Sequence, residues 1–195
     1  MKTNICELKQ KKSDLKNILI EADKIAAYND LDKKSTLRLR LLAEEMVGLL
    51  DGLVENFEGE FYIENNKNEF KLVTTLTVGN MNIELKDELI QMSSDKKNAS
   101  AKGIMGKIRN AVQTLILKVD NADMYMTLAD YTGYSHYEHN SPYSYRWSLD
   151  KYKTEVSKEK EEYDELEKSI VANVADDVIV GIKGRQVEIV VVKKF

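Results

Sequence analysis

The tightest constraint on the fold lies near the end of the sequence. Val178, Val180 and Ile182 alternate with other residues before Lys183-Gly184, and Val187, Ile189 and Val191 alternate after it. A period of two puts these side chains on one face of a strand, so the pattern predicts an antiparallel hairpin. Val190 and Val192 fall on the opposite phase. The last strand therefore carries apolar side chains on both faces, as a central strand does.

A second hairpin is predicted upstream. Phe61 and Ile63, then Phe70, Leu72, Thr74, Leu76 and Val78, alternate with polar residues, and Asn65, Asn66, Lys67 and Asn68 separate the two runs. Asparagine tolerates the positive φ of a tight turn. Two helices are expected before it. The first is capped by Ser13, presents Leu15, Ile18, Leu19, Ala22, Ile25 and Ala26 on one face, and ends near Asn29. The second begins after Asp32 to Thr36 and runs through Leu41, Leu42, Met46, Leu49, Leu50 and Leu53 to about Glu55. It is apolar over more than half its circumference, which marks it as the spine of the core.

Further along, a short helix is expected over Leu85 to Met92 and a loop over Ser93 to Ser100. A glycine-opened helix follows, from Ala101 to about Lys118. Asn121 to Arg146 gathers six tyrosines, both histidines and the only proline, and reads as an ordered surface insertion. One long charged helix is predicted from Ser148 to Ala175. The order implies an α+β fold: a two-layer α/β sandwich with a mixed, mostly antiparallel sheet covered on one face by helices. Residues 1–195 read as one domain, with 121–175 as an insertion within it.

At 195 residues, 43% hydrophobic and 32% charged, the chain can bury a full core beneath a well-solvated surface. Its net charge of -4 gives no general attraction to nucleic acid or anionic lipid, so neither is expected as a partner. Met1 to Lys12 lacks a secretory apolar stretch, and no apolar run approaches the roughly 20 residues that span a bilayer. A cytoplasmic location is expected. Cys6 is the single cysteine and sits in what reads as a frayed terminus, so it is given no redox role.

Phosphate loops ending in Lys-Ser or Lys-Thr, dinucleotide fingerprints and Cys-x-x-Cys pairs are absent from the sequence. His136 and His139 have the spacing of metal ligands on a helix, but Gly133 and Pro142 place them in a loop, so no metal site is assigned. Glu44 and Glu45, flanked by Leu41, Leu42, Met46 and Val47, are candidate catalytic bases at a desolvated edge; the alternative is a solvated helix face. Lys102, Gly103, Gly106 and Lys107 would offer helix-terminal amides and positive charge to phosphates, or else allow close helix packing.

Leu37 to Val78, followed by Ser93 to Lys118 and the terminal hairpin, resembles the histidine-kinase-like ATPase superfamily, particularly its small anti-sigma-factor-type members. Leu41-Leu42-Ala43-Glu44-Glu45-Met46-Val47-Gly48 and Ala101-Lys102-Gly103-Ile104-Met105-Gly106-Lys107-Ile108 are also similar to phrases in uncharacterised bacterial proteins labelled ATP-binding. The resemblance implies ATP as ligand, Glu45 or Glu44 as general base, and Lys102 to Lys107 around the phosphates. It places Gly79 and Asn80 where the family's Asp-x-Gly meets adenine. The family's magnesium-holding asparagine falls on Leu49 counting from Glu45, or on Gly48 counting from Glu44. Magnesium is therefore not expected.

Three functions follow from these observations. The leading one is a divergent ATPase-fold regulator that binds nucleotide weakly or not at all and acts through protein contacts. Next is an active anti-sigma-type serine kinase or ATPase, with Asp51 as a substitute metal ligand. The third is a nucleotide-independent interaction module that uses the Tyr-rich insertion and the long helix. The narrow apolar stripe of that helix is compatible with a homodimer.

Overall fold

The computed structural model describes residues 1–9, 15–50, 57–78, 145–156, 169–183 and 185–195. In chain order the elements are β1 (Cys6–Lys9), α1 (Leu15–Tyr28), α2 (Lys33–Leu50), β2 (Phe57–Asn66), β3 (Glu69–Val78), β4 (Tyr145–Ser148), α3 (Leu149–Val156), α4 (Ile170–Val174), β5 (Asp177–Lys183) and β6 (Gln186–Lys194).

The fold is α+β. Its sheet is six-stranded in the order β1-β2-β3-β6-β5-β4, and β6 lies inside it as the double-phase apolar pattern predicts. The expected mixed character is not found among the described residues, where every neighbouring pair is antiparallel. The cause is that two hairpins are laid side by side, with β3 against β6, and short antiparallel strands flank them.

One sheet face is apolar. Phe61 and Ile63 on β2, Phe70, Leu72 and Leu76 on β3, and Val187, Ile189 and Val191 on β6 are buried there. Ile18, Ala22, Ile25 and Ala26 of α1 and Leu39, Leu42, Met46 and Leu50 of α2 belong to the same core. Burial of this apolar area is the main stabilising term.

The turn between α1 and α2 is set by local chemistry. Asp30 takes a left-handed φ of 52°, and Leu31 N–H donates to the Ala26 carbonyl at 3.0 Å, closing the end of α1. Asp32 then caps α2, its Oδ1 accepting from the amides of Lys34 at 2.7 Å and Ser35 at 2.9 Å. The Ser35 amide and hydroxyl, with the Lys34 amide, hold the Asp32 carboxyl below its usual range.

Four further sequence expectations change. Cys6 is not in a frayed end: β1 pairs with β2, Thr3 N–H donates to the Ile63 carbonyl at 2.9 Å, and Asn4 is tied to Glu21. In the first hairpin the positive φ of 58° falls on Lys67, because Asn65 is paired within the ladder and its Nδ2 donates to the Lys67 carbonyl. Tyr145 and Arg146 close the Tyr-rich stretch as part of an edge strand on β5. The long helix is interrupted at Ser169, which adopts extended φ and ψ and accepts from Ala172 N–H as the cap of α4. The helices predicted over Leu85 to Met92 and Ala101 to Lys118 lie outside the described residues.

Candidate functional site

The predicted base pair sits on α2, and the structure separates its two members. Glu44 is 42% exposed and lies 3.7 Å from Arg40 Nε, one turn back on the helix. Arg40 Nη1 also donates to Asp23 Oδ2 of α1 at 2.8 Å. Glu44 thus belongs to a surface ion network that ties α1 to α2. Glu45 is half-buried between this surface and the core, and its carboxylate has no hydrogen-bond or ion-pair partner among the described residues.

One turn beyond Glu45 the helix is committed to core packing. Leu49, one turn beyond Glu45, is 2% exposed and joins Leu42, Met46 and Leu50 in the hydrophobic core. Gly48, one turn beyond Glu44, is exposed, and among the described residues a Cβ built on it meets nothing within 4 Å. Among the described residues no group of three or more His, Cys, Asp or Glu side chains is placed to hold a metal ion. Gly79, Asn80, Asp51, Lys102, Gly103, Gly106, Lys107, His136 and His139 lie outside the described residues. What is positioned is the carboxylate pair and the end of β3, where Val78 N–H donates to the Arg185 carbonyl at 3.0 Å.

A second feature, on the sheet face turned away from α1 and α2, is not anticipated by the sequence reading. Glu7, Glu60, Thr75 and Glu188 lie opposite one another across β1, β2, β3 and β6 and form a single row. The next row holds Lys9, Glu58, Thr77, Gln186 and Lys183. Together they line an open concavity of about 570 Å³. Lys9 Nζ relieves part of the carboxylate crowding at 3.3 Å from Glu7. Beside this rim Tyr62 is stacked under Lys2 Nζ, 3.3 Å from the ring centroid. Burial, with the carboxylates of Glu64, Glu188 and Glu60, pushes the Tyr62 hydroxyl above its ordinary pKa. The signal available in the sequence is the polar phase of the strands, which looks like any solvated face until register aligns it.

No protein-family model, curated protein or solved structure matches the chain. No helix among the described residues is long and apolar enough to cross a membrane.

Proposed function

We propose that the chain is a divergent histidine-kinase-like ATPase-fold regulator that binds ATP weakly or not at all and acts through protein contacts. The observation that carries this reading is the pairing of a half-buried Glu45 with a core-buried Leu49 one turn on. In phosphoryl transfer a metal ion bridges and neutralises the phosphates, and its protein ligand must present an oxygen or nitrogen. Leu49 offers neither and is committed to packing, Gly48 has no side chain, and Glu44 is drawn to Arg40. Among the described residues, neither position one turn beyond Glu44 or Glu45 supplies an oxygen or nitrogen ligand for magnesium, which supports this reading.

The outward face of α2 supports the protein-contact half of the reading. Leu37, 57% exposed, and Gly48 lie three turns apart on the same side of the helix, and an exposed glycine there would let a partner backbone approach closely. A second copy of the chain is one such partner.

The deciding experiment compares melting of the full chain with and without millimolar ATP and magnesium, alongside an ATP turnover assay. A ligand that binds only the native state raises its midpoint, by several degrees at about a hundredfold over its Kd. The expected result is a shift of less than about 1 °C and no turnover. Magnesium-dependent hydrolysis abolished by Glu45→Ala would overturn the reading. It would favour instead an active ATPase in which the Glu45 carboxylate is the base.

A further inference from the structure

We draw no further inference here: the strongest candidate, the acidic concavity on the open face of the sheet lined by Glu7, Glu58, Glu60 and Glu188, is a cluster of carboxylates with nothing in the structure to show what covers it.

Discussion

Arg40 on α2 reaches Asp23 on α1 with its Nη1 2.8 Å from Oδ2, and the same guanidinium leans toward Glu44. The contact crosses the αα turn and competes for the carboxylate that sequence reasoning offers as a catalytic base. Both partners of the Arg40–Asp23 pair are more than a third exposed, so solvent screening limits its worth. Arg40→Met should destabilise the chain by about 0.5 kcal/mol in urea unfolding. Glu44→Gln should change stability still less. A large loss of stability in Glu44→Gln would show that the carboxylate has a partner beyond Arg40.

Glu21 gives an acid-sensitive clamp on the first strand. Burial alone raises its pKa, but hydrogen bonds from Lys24 Nζ at 2.7 Å and from the side chain and amide of Asn4 at 3.2 Å outweigh that, and the net shift is downward. A carboxyl lowered in the folded state adds stability that is fully present above its unfolded pKa and is lost as pH falls through the folded value. Melting temperatures of the wild type and Glu21→Gln should therefore differ most at neutral pH and converge between about pH 5 and 3. A gap that persists unchanged to pH 3 would mean the clamp is not electrostatic.

Gly59 is required by space. A Cβ there would lie 2.2 Å from the Thr75 carbonyl oxygen and 2.7 Å from Leu76 Cδ2. Because the nearest atom is backbone of the paired strand, relief requires β2 and β3 to part. Gly59→Ala should cost about 2–3 kcal/mol in equilibrium unfolding, whereas Gly48→Ala, whose Cβ would meet nothing within 4 Å among the described residues, should stabilise α2 by up to about 1 kcal/mol. Equal effects at the two positions would contradict this placement.

Thr74 is fully buried on the helix-facing side of β3, and its hydroxyl has no hydrogen-bond partner among the described residues. Leaving a polar group dry and unpaired costs free energy that an apolar group of the same shape avoids. Thr74→Val should raise the urea midpoint by the equivalent of about 1 kcal/mol with an unchanged slope. A fall in the midpoint would show that the hydroxyl is satisfied after all.

The row Glu7–Glu60–Thr75–Glu188 places two carboxylates directly opposite on β1 and β2. Like charges facing across an antiparallel pair are destabilising, by up to about 1 kcal/mol. Glu60→Gln should raise the melting temperature at low salt, and the gain should shrink as salt screens the repulsion.

The elements that were legible in the sequence share a physical cause: their apolar period is long enough to outweigh local accident. Val178 to Val192 spans two full strands, and α2 carries its pattern through more than four turns. By contrast, β1 has only four residues and exists because β2 supplies its partners, while β4 is drawn from a tyrosine-rich run with no clear alternation. The break at Ser169 depends on one hydroxyl reaching Ala172 N–H, which a periodicity scan does not weigh against the helical pattern on either side. At the candidate site, Glu44 and Glu45 are equivalent in sequence. The reach of Arg40 from one turn away, with Asp23 beyond it, and the deeper burial of Glu45 distinguish them.

The interior place of β6 has a consequence for how the chain is made. A ribosome delivers β1, β2 and β3 as a half-sheet whose β3 edge stays open until β6 emerges, since the partner of Thr77 is Gln186. Closing that distant pairing is entropically slow, and an open edge is a template for the wrong strand. The nascent chain is therefore most vulnerable to misassociation during the interval between β3 and β6, and a stop codon just before β6 would remove the middle of the sheet rather than its margin.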